Sequence, residues 1–208
     1  MPTSRLEAFS DGVLAIIITI MVLSFKVPEG NTWRVLVDTT GVSFLTYVLS
    51  FAYVGIYWNN HHHLLHAASK LSGRSLWANH HWLFWLSLLP FSTAWVDQES
   101  LAKVPVMCYG VVLLLCALAY FMLQASLMTE EGPESLLRQA LKVGWARMGR
   151  KDVLSLVLYF AGIILAACDG VVAPSPYFSW AGMGCFVIVA FVWVVPDRRL
   201  ERALQRGD

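Results

Sequence analysis

Charge is scarce in this 208-residue chain. Asp, Glu, Lys and Arg together make up 14% of it, against about a quarter in ordinary soluble domains. So small a charged fraction excludes a soluble globular domain. The four cysteines, Cys108, Cys116, Cys168 and Cys185, lie scattered in apolar stretches. They show no C-x-x-C spacing and no pairing pattern, which excludes a zinc ribbon or a disulfide framework and leaves them as small apolar packing residues. The chain has no Walker loop, no G-x-S-x-G, no H-E-x-x-H and no dinucleotide fingerprint, and nothing in it resembles an assembled nucleophile and base. An enzyme is therefore not expected. No segment alternates polar and apolar residues over about ten positions, as spanning β-strands would. The N-terminus is not expected to be a secretory signal, because acidic Glu7 and Asp11 stand where a basic region belongs.

Apolar residues are abundant. The set AVILMFWYC makes up 57% of the chain, and the mean hydropathy is +0.59. A bilayer core of about 30 Å needs roughly 20 mostly apolar residues in helical form. Six stretches qualify, near Phe9–Phe25, Val42–Asn60, Leu76–Val96, Val104–Met128, Val153–Val172 and Tyr177–Val195. Backbone groups in lipid must bond internally, so these are expected as helices. The fold class is thus an all-α integral membrane protein with six transmembrane helices, one domain over residues 1–208.

The basic residues are distributed unevenly. Along a six-span path, Arg5, Lys70, Arg74, Arg138, Lys142, Arg147, Arg150, Lys151, Arg198, Arg199, Arg202 and Arg206 fall on one side, and only Lys26, Arg34 and Lys103 on the other. The positive-inside rule then places both termini in the cytoplasm. The connections leave no room for a soluble catalytic domain. The longest, about 129–152, carries Leu136, Leu137, Leu141 and Val143 among basic residues and is expected as an amphipathic helix at the cytoplasmic membrane surface. Residues 196–208, opened by Pro196, are expected as a solvated basic tail in the cytoplasm.

Three groupings could carry chemistry. In the first span, Phe9, Gly12, Ile16, Thr19 and Leu23 share one face at 100° per residue, while Ser10 and Asp11 point elsewhere. An ionisable residue in a span usually faces protein or water, but Asp11 stands near the helix start, where it also suits the helix dipole. Thr19 alone says little, since threonine in a membrane helix often bonds its own backbone or a neighbouring helix. The second grouping is His61, His62, His63, His66, His80 and His81, all near the cytoplasmic ends of the second and third spans. Metal or haem ligation suits clustered imidazoles, whereas interfacial placement suits them without any ligand. The third is aromatic. Trp58, Trp77, Trp82, Trp85 and Trp95 mostly flank spans as belt residues do. Pro90 is expected to kink the third span.

The residues Arg5, Phe9, Ser10 and Asp11 form R-x-x-x-F-S-D. This resembles the signature that opens the first helix of the transmembrane protein 175 family, potassium-permeable channels of endolysosomes with bacterial relatives. Trp58 and His61 in WNNHHH resemble that family's W-x-x-H-H at the end of helix two, and Asn79, Pro90 and Thr93 resemble its helix-three pattern. One six-helix unit with one motif is similar to the bacterial type, which implies a homotetramer in the bacterial plasma membrane.

The resemblance implies a pore lined by the four first helices. Its apolar constriction would be rings of Ile16 and Leu23, with Thr19 as the polar ring between them, and the chain has no carbonyl filter loop. It also implies a network joining Ser10 and Asp11 to His61 and Asn79, with Arg5, Phe9 and Trp58 beside it, and His62 or His63 could take the place of His61. Ideal helix geometry puts Arg5 near the azimuth of Ile16, on the pore side, so a long reach or a frayed first turn would be needed to bring it into that network. Ile17, Ile18, Ile20 and Val22 are left to pack. The expected partners are further copies of the chain, lipid and permeant potassium ions. No nucleic acid, no metal site and no cofactor are expected. A proton- or ion-coupled secondary transporter and a His-rich metal or haem redox protein are the other readings. The absence of an inverted repeat and of a broken helix pair at the midplane weighs against the transporter.

Overall fold

The computed structural model describes residues 3–68, 71–130, 150–172 and 176–194. Seven helices lie among them: α1 Thr3–Leu23, α2 Trp33–Ala67, α3 Gly73–Leu86, α4 Leu89–Gln98, α5 Lys103–Glu130, α6 Arg150–Cys168 and α7 Tyr177–Val194. Most of the expected connecting helix at 129–152 and the whole tail at 196–208 lie outside the described residues, as do Lys70, Arg138, Lys142, Arg147 and the four arginines after 197.

Five of the seven helices, α1, α2, α5, α6 and α7, are each long and apolar enough to cross a membrane. The third expected span is divided between α3 and α4, joined by Ser87 and Leu88. Pro90 explains the interruption. It lacks an N–H and falls in the first turn of α4, so the ladder stops behind it and restarts. Sequence reasoning foresaw a kink there, and the break is its sharper form. α2 extends past its expected span at both ends. At 35 residues and 1.5 Å per residue it is about 52 Å long, more than the hydrocarbon core requires. Its start is set by Thr32, whose hydroxyl accepts from the Val35 amide at 3.3 Å. Likewise Ser72 caps α3 by accepting from the amides of Arg74 and Ser75.

α5 forms the centre, packed against α3, α4, α6 and α7, with Val106, Tyr109, Leu113, Cys116, Leu123 and Leu127 fully buried along it. Lipid supplies no hydrophobic drive between helices, so close contact depends on small residues. α5, α6 and α7 meet in this way around Phe186. A Cβ at Gly110 would come within 2.4 Å of Phe186 Cζ, and one at Gly182 within 2.6 Å of the Gly162 carbonyl oxygen.

α1 is peripheral. It packs on α2, α3 and α4, burying Leu6, Ser10, Leu14, Ile17 and Met21. These five positions follow helical spacing along one face. The opposite arc is bare within the subunit.

Candidate pore helix and its anchoring network

The buried face of α1 carries one polar residue, Ser10, in the middle of leucines. In an apolar wall a hydroxyl must find partners, and Ser10 finds two. It donates to the Leu6 carbonyl at 2.9 Å and accepts from Asn79 Nδ2 of α3 at 3.0 Å. Since the Ser10 proton is used on Leu6, the Asn79 amide must present its nitrogen to Ser10 and its oxygen elsewhere. That oxygen meets His61 Nε2 of α2 at 2.8 Å. An amide oxygen only accepts, so His61 carries its proton on Nε2. Ser10, Asn79 and His61 are all fully buried. The His61 ring also stacks on Trp82, with centroids 4.7 Å apart. One chain of hydrogen bonds thus ties α1, α3 and α2 together.

A second set lies at the rim. Trp58 Nε1 donates to Asp11 Oδ1 at 3.1 Å, and His62 Nδ1 meets Glu7 Oε1 at 2.6 Å. Glu7 and Asp11 are one turn apart on α1, and Trp58 and His62 are one turn apart on α2. The pairing runs in opposite directions along the two helices, as antiparallel neighbours require. Phe9 stacks on His80 of α3, with centroids 5.4 Å apart.

The structure therefore brings together Ser10, Asp11, Trp58, His61 and Asn79, and sets Phe9 against a histidine rather than among them. Arg5 is exposed, and no hydrogen bond or ion pair of its side chain occurs among the described residues. Its position agrees with ideal helix geometry. Sequence reasoning missed Glu7–His62 and the Trp82 platform. The matched one-turn spacing of Glu7/Asp11 and Trp58/His62 was a usable signal for the first. Trp82 had none, because a tryptophan near a span end reads equally as belt or core.

The uncovered arc of α1 holds Phe9, Gly12, Ile16, Thr19 and Leu23, with Ile16 58% and Leu23 80% exposed. Thr19 donates to the Ile16 carbonyl at 2.8 Å, so its proton is turned inward and oxygen lone pairs are left facing out. Ile17 is buried and Ile18 half-buried, as expected. Ile20 and Val22, also expected to pack, are exposed. The reason is that α1 is covered along one face only, so the bare arc is wider than the five-residue stripe. Among the described residues, no three His, Cys, Asp or Glu side chains converge as a metal site would need. His62, His63 and His66 stay close, with the His62 ring centroid 5.5 Å from that of His63 and 6.1 Å from that of His66. The hydrogen bonds diverge: His61 to Asn79, His62 to Glu7, His80 to the Leu76 carbonyl and His81 to Trp85.

These features define a multi-pass helical membrane protein whose first helix is bonded to its neighbours on one side and bare on the other. The family model described as "Endosomal/lysosomal potassium channel TMEM175" matches residues 5–90. The chain is 44% identical over 207 residues to a potassium channel of Chryseobacterium sp., the match covering the whole of both proteins. It is 32% identical over 126 residues to a potassium channel of Streptomyces collinus, covering 57% of this chain and 61% of that one. In fold it is similar to the crystal structure of a lysosomal potassium-selective channel TMEM175 homolog from Chamaesiphon minutus, with TM-score 0.70, 24% identity, and coverage of 93% of this chain and 96% of that one. The chain belongs to the TMEM175 family.

Proposed function

We propose that this protein is a potassium-permeable channel in which four copies surround a pore lined by α1. One observation carries this reading. α1 is held on one face by a buried hydrogen-bonded chain, while its other face presents Ile16, Thr19 and Leu23 uncovered. A single helix cannot enclose a path, and a cyclic assembly closes one from identical surfaces. The names of its relatives support potassium as the ion.

In this reading Ile16 and Leu23 form the constriction. A tight ring of branched apolar side chains expels water and closes the path, and slight widening lets a partly hydrated ion through. Thr19 sits between those rings, and its outward lone pairs replace some of the water lost. Ser10, Asn79 and His61, with Asp11 and Trp58 at the rim, set the rotation of α1 and hence which residues face the axis. The exposure of Arg5 supports a place at the pore mouth, outside that network. The asymmetry of twelve basic residues against three supports cytoplasmic termini, and the bacterial relatives support the plasma membrane as the location.

Purified protein in liposomes loaded with potassium is expected to release it when a protonophore balances charge. Ile16→Asn is expected to accelerate that release, because a polar ring stays wet. If neither protein passes cations, the reading fails. Saturable flux coupled to a proton gradient would favour the transporter instead.

A further inference from the structure

A cavity of about 170 Å³ lies between α2, α5, α6 and α7, away from α1. It is walled by the rings of Tyr53, Tyr57, Tyr120, Tyr159 and Trp193, and among the described residues Asp152 is the only charged side chain lining it. Two observations give this pocket a chemical preference. First, aromatic faces carry negative quadrupole potential and attract a cation placed over them, and a carboxylate adds to the same sign. Second, some polar atoms of the wall are bonded within the chain, while the buried Tyr120 hydroxyl has no well-formed bond. Tyr53 donates to the Phe186 carbonyl at 2.6 Å. Ser155 donates to the Lys151 carbonyl and accepts from Trp193 Nε1, both at 2.8 Å. The Tyr120 hydroxyl is buried and lies near the Gln124 side chain one turn along α5, but no bond of good geometry joins them. A buried hydroxyl left in this way is costly, and an N–H donor from a ligand would relieve it.

The pocket also adjoins the anchor of α1. Tyr57 and Tyr120 both pack against Trp82, with centroids 5.9 and 5.5 Å away. Trp82 is the platform on which His61 stacks, and His61 holds Asn79, which holds Ser10. From pocket wall to α1 the side chains are in continuous contact.

We propose that this pocket binds a primary ammonium group carried on a short apolar body, and that its occupation acts on α1 through Trp82 and His61. The rings and Asp152 select the charge, the Tyr120 hydroxyl selects an ammonium bearing N–H over a quaternary one, and the volume limits the body to about one ring. A free amine and the headgroup of phosphatidylethanolamine share this chemistry. The action on α1 rests on the channel reading above, whereas the binding does not.

The test uses the full-length protein in phosphatidylglycerol nanodiscs, titrated with 4-fluorobenzylammonium and followed by fluorine NMR. The neutral isostere 4-fluorobenzyl alcohol is the control. Saturable binding of the amine, about tenfold tighter than the alcohol, is expected. Asp152→Asn should weaken the amine about tenfold and leave the alcohol nearly unchanged, while Tyr120→Phe should narrow the gap between benzylammonium and benzyltrimethylammonium. Equal affinity for amine and alcohol, or an amine affinity indifferent to Asp152→Asn, overturns the site. Competition by nanodiscs containing phosphatidylethanolamine assigns the lipid as the source, and its absence assigns a free amine. In liposomes the amine should change potassium flux in the parent and lose that effect in Asp152→Asn. Block of the pore itself would survive the substitution and would overturn the action on α1. Protein that binds the amine but conducts nothing with or without it removes the channel reading and leaves the site standing.

Discussion

The side-chain amide of Asn79 donates to the hydroxyl of Ser10 across 3.0 Å, joining α3 to α1 where neither residue reaches solvent. The bond fixes three things together: the rotation of α1, the orientation of the Asn79 amide, and the nitrogen on which His61 holds its proton. Ser10→Ala removes the acceptor and leaves a buried N–H unmatched. That costs about 1–3 kcal/mol in soluble proteins, and somewhat less in membranes, where an unfolded helix still finds partners. Thermal unfolding in detergent is expected to shift down by several degrees, and Ser10→Thr is expected to recover most of it. An unchanged transition for Ser10→Ala would remove the anchoring role.

The rim pair behaves differently. Trp58 Nε1 and Asp11 Oδ1 are 3.1 Å apart, but Trp58 is half-exposed, so water can replace either partner. Trp58→Phe is expected to cost under about 0.5 kcal/mol of stability, because the lost bond is offset by hydration. If the pair helps set the rotation of α1, Trp58→Phe still changes open probability in single-channel records. A stability loss as large as that of Ser10→Ala would show that the rim is part of the core.

Thr19 offers a test of where ion preference arises. Its proton is held by the Ile16 carbonyl, so only oxygen lone pairs are available to an ion. Thr19→Val keeps the shape and removes the oxygen. An oxygen ring that contributes about 1.4 kcal/mol to a passing ion changes its rate about tenfold. Thr19→Val is therefore expected to lower potassium conductance by about that factor, and Thr19→Ser to retain it. Equal conductance in all three proteins would assign preference to the diameter of the apolar rings.

The spans were legible because membrane helices announce themselves by length and hydropathy, and Pro90 marked the one interruption. The face of α1 was legible too, since 3.6-residue spacing separates Ser10 and Ile17 from Ile16 and Thr19 without any knowledge of neighbours. Contacts between helices were much less so. His61, His62 and His63 are chemically identical in sequence, and only the azimuth of α2 relative to α3 puts His61 against Asn79 and turns His62 to Glu7. The tyrosine pocket was invisible for the same reason. Tyr53, Tyr57, Tyr120 and Tyr159 come from three helices, and the apolar residues around each one read as an ordinary span. The exposure of Ile20 and Val22 depends on what α1 fails to touch, which periodicity does not report.

Two glycines separate folding of the subunit from its assembly. A Cβ at Gly182 would lie 2.6 Å from the Gly162 carbonyl oxygen, whereas one at Gly12 meets nothing within 4 Å. Gly182→Ala forces α6 and α7 apart, and overpacking of this kind costs about 1–3 kcal/mol. It is expected to lower the unfolding temperature of the subunit whatever its oligomeric state. Gly12→Leu leaves the subunit unstrained, since the side chain enters open space on the uncovered face of α1. If four such faces converge, the four added leucines meet near the axis. Gly12→Leu is then expected to reduce potassium flux severely, or to shift the oligomer in native mass spectrometry, while the subunit itself unfolds at the parent temperature. Gly12→Leu with parental flux and parental assembly would mean that α1 faces lipid rather than other copies of itself, and the pore would have to be sought on another helix.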